Sequence, residues 1–296
     1  MSLVVALGGN ALGRGTAAEQ LATLRDTCAV LVPLLREGEV VITHGNGPQV
    51  GNELLRQERA ADEVPPLPLY LAVAQTQAEI GALIEAELSA AASRPVACLL
   101  THVRVDPDDP AFGDPTKPSG PFYSEAEARA LERDRGWQLV EDSGRGFRRV
   151  VPSPRPLDVV ELESIRALVA TGAIVVACGG GGIPVVSRNG HLKGVDAVID
   201  KDRASTLLAT RLGADRLVIL TAVPAVYRNY RKSNQQELRE LSATDAEELL
   251  PGLAEGSMRP KVESAIDFAR SGGETLITSF EALEEALAGD AGTTIR

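Results

Sequence analysis

The stretch VITHGNGPQVGN, residues 41–52, decides the fold. It opens as an apolar strand and runs without a break into Gly45, Gly47 and Gly51, interleaved with His44, Asn46 and Gln49. Glycine loses more backbone freedom on folding than any other residue, so three within seven residues weaken whatever element holds them. A strand that ends this way stands where something must approach the backbone closely.

The same arrangement recurs on either side of it. LVVALGG at 3–9 overlaps the cluster LGGNALG at 7–13, and IVVAC at 174–178 leads into CGGGG at 178–182. DRLVILTAV at 215–223 and ETLIT at 274–278 are further short apolar runs. Helical periodicity fills the gaps between them. Thr16 and Glu19 have the spacing of a capping box, and apolar positions then recur at helical intervals to Leu35, before Gly38. A helix is expected over 48–61 and a long Ala/Glu-rich one over 69–92, followed by the strand PVACLLTHVRV at 95–105. Near-continuously apolar strands alternating with helices predict an α/β fold, a three-layer αβα sandwich whose parallel sheet is covered on both faces.

One region breaks the rhythm. DPDDPAFGDPTKPSGPF at 106–122 holds five prolines, and EDSGRGFRRVVPSPRP at 141–156 is again loop-rich. Between them Ser124 and Glu127 repeat the capping-box spacing. A long irregular segment inside a compact domain is usually functional. Residues 102–152 are therefore read as a small flap protruding from a single domain that spans 1–296.

Composition bounds the function. The 296 residues are 44% apolar and 24% charged, with mean hydropathy near zero and a formal net charge of −11. That acidity, with no basic run, argues against nucleic acid and against an anionic membrane as partners. No apolar run is long enough to span a bilayer, and MSLVVALGG lacks the basic start of a secretory signal. Cys28, Cys98 and Cys178 lie in apolar periodic segments and read as reduced core residues of a cytoplasmic protein. Cys178 is placed in the core rather than taken as a nucleophile.

Glycine clusters at the ends of three strands point to an anion site. In open α/β sheets, ligands bind beyond the carboxyl ends of the strands, where helix N-termini offer free N–H groups. A dinucleotide site fits poorly, because the loop follows the second strand and the next acidic residues, Asp62 and Glu63, run into Pro65 and Pro66. No G-x-x-x-x-G-K-[ST] occurs, so the chain is not a P-loop enzyme. The lysines carry more information. There are only five, Lys117, Lys193, Lys201, Lys232 and Lys261, against a background of arginine. A lysine kept in that background suits a place needing a compact ammonium rather than a planar fork, and together they suggest phosphoryl chemistry. In VIDKDRAS, Asp202 falls at a helix start, where it is either an N-cap or one half of a charge clamp with Lys201.

Taken together, ALGGNAL, HGNGPQVGN, PTKPSGPF, CGGGGIPVV, GVDAVIDKDRAS and GSMRPKVESAI resemble the carbamate kinases of the amino-acid kinase superfamily, along essentially the whole chain. The resemblance implies an open, mainly parallel, roughly eight-stranded sheet and a cytoplasmic homodimer. It also implies reversible phosphoryl transfer between MgATP and carbamate, giving ADP and carbamoyl phosphate. The N-terminal part would hold carbamate and residues from about 173 to 296 the nucleotide. Carried onto this sequence, it makes Gly8, Gly9 and Asn10 the loop that meets the transferring phosphate, and Gly45, Asn46 and Gly47 the carbamate pocket. Lys201 and Lys261 would neutralise the phosphates with Asp202 orienting them, while Thr221, Tyr230, Met258 and Pro260 would border the nucleotide. Relatives in the superfamily carry a first-strand lysine where this chain has Ala6, and the resemblance assigns that charge to Lys117 on the flap. No metal ligands are expected from the protein, so Mg2+ would arrive with ATP or ADP. His44 is read as fixing loop geometry rather than as a general base. Two rivals are another small-acyl kinase of the superfamily, which should keep the first-strand lysine, and a non-catalytic nucleotide sensor, which has little use for the lysine set and flap.

Overall fold

Leucine and β-branched residues dominate the strands of the main sheet. These are β1 (Ser2–Leu7), β2 (Glu39–His44), β3 (Val96–Cys98), β4 (Ile174–Val176), β5 (Arg216–Thr221), β6 (Glu240–Leu241), β7 (Glu274–Ser279) and β8 (Thr293–Ile295). The computed structural model describes residues 2–12, 15–36, 38–142, 144–254 and 256–296. Gly13 of the first glycine cluster and the side chain of Asn10 lie outside the described residues. The strands join in one sheet of order β6-β8-β7-β5-β1-β2-β4-β3. Every pairing is parallel except β7 with β8, so β6 and β8 run against the rest.

Alternation along β1 assigns the two faces. Leu3, Val5 and Leu7 pack with residues of α1 (Ala17–Leu31), α3 (Leu69–Ala91) and α9 (Leu283–Ala288). Val4 and Ala6 pack with residues of α5 (Leu162–Ala170), α6 (Lys201–Leu212), α7 (Ala243–Leu249) and α8 (Met258–Arg270). This is the three-layer, mainly parallel sandwich that the alternation of strands and helices predicts. Two further α-helices among the described residues are α2 (Gly47–Arg59) and α4 (Glu125–Arg135).

The expected single strand over 95–105 is two strands in different sheets. Only Val96–Cys98 pairs with β4, whereas His102–Val105 pairs with Ile183–Arg188 and Pro156–Val159. The break comes from a side chain on another element. The side chain of Gln77 on α3 accepts from the N–H of Thr101 at 2.6 Å and donates to the carbonyls of Thr101 at 3.4 Å and Gly179 at 2.9 Å. It thus occupies the backbone groups that a continuing strand would pair. A separate three-stranded sheet, Lys117–Tyr123, Leu139–Glu141 and Phe147–Val151, lies against α2 with α4 beside it. An atom added at Gly51 would come within 3.4 Å of the Gly120 carbonyl, and the Tyr123 hydroxyl lies 2.8 Å from a Glu58 carboxylate oxygen. Lys117, expected in an irregular loop, is the first residue of a strand.

Candidate active site

The parallel register brings Leu7 opposite His44, so β1 and β2 end side by side. Gly8 and Gly9 therefore leave the sheet next to Gly45, Asn46 and Gly47. The N–H of Gly45 donates to the Leu7 carbonyl at 3.1 Å, and Nδ1 of His44 lies 2.9 Å from the Gly45 carbonyl, which fixes the loop. His44 is fully buried, and desolvation lowers its pKa to about 4, so it stands neutral at physiological pH. Its Nδ1 therefore donates to Gly45, and the ring is a brace for the loop.

The glycines divide into two kinds. At Gly8 an added Cβ would stand 2.6 Å from the Leu220 carbonyl, and at Gly179 it would stand 2.2 Å from Nε2 of His44. Gly180 has φ +66° and would meet the Asn46 amide at 2.2 Å. Gly179 to Gly182 are all buried. The CGGGG cluster is accordingly a packed pedestal beneath His44 and Asn46, and not an open loop like the other two. Gly9 and Gly47 meet nothing within 4 Å. No packing demands glycine there, and the backbone is open to close approach.

Asp202, open between two readings in the sequence, is not the cap of α6. Asp200 is: its Oδ1 accepts from the N–H groups of Asp202 at 2.9 Å and Arg203 at 3.4 Å. Asp202 sits in the first turn with its carboxylate between two ammonium groups, Lys201 Nζ at 2.7 Å and Lys261 Nζ at 3.1 Å. The three side chains are 5–14% exposed. Burial alone would raise the Asp202 pKa, but Lys201 and Lys261 outweigh it and hold the carboxyl well below its ordinary range. Desolvation pulls Lys201 downward against the same aspartate. Lys261 reaches the cluster from the first turn of α8 and also donates to the Ser257 carbonyl at 3.3 Å. On β2, Thr43 Oγ1 lies 2.6 Å from Ser205 Oγ, fastening α6 to the strand that delivers the glycine loop. The Lys201 stem passes 3.6 Å from where a Gly45 Cβ would be.

Lys117 enters from the flap sheet, its Nζ 2.5 Å from Oδ2 of Asp200. Asp200, which the sequence places with Lys201 at the strand-to-helix corner without giving it a role, is thus tied to the same cluster, and an aspartate two residues ahead of a helical Asp202 is a capping signal. Thr221 ends β5 beside Gly8, and Met258 and Pro260 occupy the first turn of α8 with Lys261. Tyr230 is 47% exposed and tilted against Tyr227 at 5.8 Å, away from the lysine cluster's contacts. Asn46 is 3% exposed, with its amide donating to Thr76 at 2.9 Å, so that side chain is already committed to the core. Burial pushes the thiols of Cys28 up to about 12 and Cys98 to about 11, and Cys178 further still, which disfavours the reactive thiolate at all three. Among the described residues no group of three or more His, Cys, Asp or Glu stands together as a metal cage, and no helix is long and apolar enough to cross a membrane.

Three ammonium groups, two aspartates and two open glycine turns thus stand together at the carboxyl edge of a parallel sheet. The chain belongs to the amino acid kinase family, whose model matches residues 1–279, and it has carbamate kinases among its relatives. It is 48% identical over 306 residues to carbamate kinase 3 of Staphylococcus aureus (strain USA300), covering 99% of each chain. Against the carbamate kinase of Halobacterium salinarum the identity is 48% over 299 residues, 99% of this chain and 97% of that one. The structure of carbamate kinase from Giardia lamblia bound to AMP-PNP superposes with a TM-score of 0.91 at 39% identity, covering 99% of this chain and 98% of that one. The chain is a phosphotransferase of the carbamate kinase type.

Proposed function

We propose that the protein transfers a phosphoryl group reversibly between MgATP and carbamate, and that it runs toward ATP from carbamoyl phosphate in the cell. The observation that carries this is the Lys201–Asp202–Lys261 cluster next to the open turns at Gly9 and Gly47. In the ATP-consuming sense, a carbamate oxygen forms a bond to the γ-phosphorus while the bond from that phosphorus to the bridging oxygen of ADP breaks. The acceptor oxygen is already anionic, so no general base is required. What the protein supplies is alignment and charge neutralisation.

In this reading the N–H groups around Gly45, Asn46 and Gly47 hold the carboxylate, while Gly8, Gly9 and Asn10 face the moving phosphoryl group. Lys201 and Lys261 neutralise its oxygens, kept apart and oriented by Asp202, and Lys117 contributes a third charge from the flap. Thr221, Tyr230, Met258 and Pro260 border the nucleotide. With Asp200 and Asp202 both engaged by lysines, Mg2+ is held chiefly by the nucleotide phosphates, whose charge it offsets. The same reading makes residues of about 102–152 a closing flap that excludes water from reactants unstable in it. It extends to a homodimer in the cytoplasm with a role in arginine metabolism. The deciding experiment is ATP formation from ADP, Mg2+ and carbamoyl phosphate, followed by a coupled assay. ATP no faster than spontaneous decomposition allows, with folded protein, rejects the reading.

A further inference from the structure

A cavity of 510 Å³ opens between the first turn of α2 and the flap, lined by Gly47, Gln49 and Asn52 on one side and by Gly120, Phe122 and Arg148 on the other. Gln49 is the residue in it that the chemistry above leaves unused. It is 4% exposed, and its Oε1 has no hydrogen-bond partner among the described residues. The amide orientation is fixed by a chain of bonds. Gln20 Nε2 donates to the Gly15 carbonyl at 3.0 Å, so Gln20 Oε1 is the atom that faces Gln49 and accepts from its Nε2 at 3.2 Å. Turning the Gln49 amide would set oxygen against oxygen. The carbonyl is therefore held toward the remaining side and lacks a donor. At the third helical position a glutamine ordinarily reaches back to the N-cap backbone, but no such bond forms at Asn46.

A buried acceptor without a protein partner is rare and calls for an explanation. Here the same turn carries the open backbone of Gly47. One small molecule satisfies both: a carboxylate for the N–H groups, with an N–H donor on the same carbon for Gln49. We infer that Gln49 Oε1 accepts from the amino group of carbamate, or of the carbamoyl end of carbamoyl phosphate, and so selects it over acetate and acetyl phosphate. This rests on the function proposed above. Acetyl phosphate is the discriminating probe, because it replaces NH2 by CH3 at nearly the same size and leaves the phosphate unchanged. A methyl group leaves the acceptor unpaired, which is how a site built for a donor rejects its isostere.

The test is the pair of substrates against Gln49→Met, which keeps the bulk and removes the acceptor. We expect kcat/KM for carbamoyl phosphate to fall by about 10- to 100-fold, the range of one buried hydrogen bond. The competitive inhibition constant of acetyl phosphate should stay within about 3-fold, and its constancy reports that the variant folds and keeps its phosphate site. Equal losses for both compounds, or no loss for carbamoyl phosphate, overturn the inference while leaving the function standing. Wild-type protein that makes no ATP from carbamoyl phosphate overturns the function, and the inference with it.

Discussion

The Nζ of Lys117 lies 2.5 Å from Oδ2 of Asp200, and the other oxygen of that carboxylate caps α6. One aspartate thus ties the first residue of the flap sheet to the helix that carries Lys201 and Asp202. The flap lysine is thereby brought to the turn that also carries Lys201 and Asp202.

Lys117→Ala should therefore act on turnover more than on nucleotide binding. Losing one charged donor that strengthens at the transition state costs about 10²–10³ in kcat by analogy with oxyanion-hole donors. Lys117→Arg should restore little, since a planar fork needs more room than an ammonium. The lysine is 35% exposed, so breaking its ion pair should cost no more than about 1 kcal/mol of stability. Steady-state kcat, the KM for ADP and a melting curve for both variants check this. Near-normal kcat in the alanine form removes Lys117 from the chemistry.

Asp202→Asn should behave differently, because Asp200 and not Asp202 caps the helix. The cap survives, so α6 should keep its circular dichroism. Two lysines that are 13–14% exposed lose their shared counter-charge, which places the variant among broken buried ion pairs, costing about 3–5 kcal/mol. Turnover should fall by at least about 10²-fold as both ammonium groups lose their common anchor. A variant with wild-type kcat would reduce Asp202 to a structural charge.

How much of this was legible in the sequence depends on the range of the interactions involved. The capping boxes at Thr16 and Ser124 are local, and both form as their spacing predicts. The apolar runs give β1, β2 and β5 for the same reason. The strand at 95–105 misleads because its interruption comes from Gln77, a residue on another element. Asp200 and Asp202 look alike as helix-opening acids, and only Lys261, brought from α8, separates their tasks. The buried pedestal at Gly179 to Gly182 reads in sequence like the open turn at Gly47, since what fills the space above it is His44 and Asn46.

The buried His44 predicts an acid limb in stability. Its pKa is lowered by desolvation from 6.5 to about 4, so between those values the unfolded chain binds a proton that the native state refuses. Stability is then full above about pH 6.5 and is lost as pH falls toward 4, by about 3 kcal/mol in total for this one group. Urea midpoints measured between pH 7 and 4.5 should show the decline, and His44→Asn, although less stable at pH 7, should show a flatter dependence over that range. Identical slopes in the two proteins would mean that His44 does not stay neutral in the fold. The profile of kcat should carry no step from this residue, because its role is to brace Gly45.

The two kinds of glycine give the sharpest separation of fold from function. Gly180 has φ +66°, and an added Cβ would stand 2.2 Å from the Asn46 amide. Gly180→Ala should be destabilised by the left-handed backbone alone by about 1–2 kcal/mol, with the collision adding to it. Its melting temperature should fall, and the displaced Asn46 loop should raise the KM for carbamoyl phosphate. Gly47 opens α2, where alanine is a better helix former than glycine, and nothing lies within 4 Å of the added methyl. Gly47→Ala should therefore melt at or above the wild-type temperature. If the carboxylate of carbamate is held against this backbone, the same methyl stands in its place, and kcat/KM for carbamoyl phosphate should fall by at least about 10-fold while the KM for ADP holds. A stable Gly47→Ala protein with wild-type kinetics would show that the ligand does not approach this turn. Loss of both stability and activity would mean that the glycine serves the fold after all.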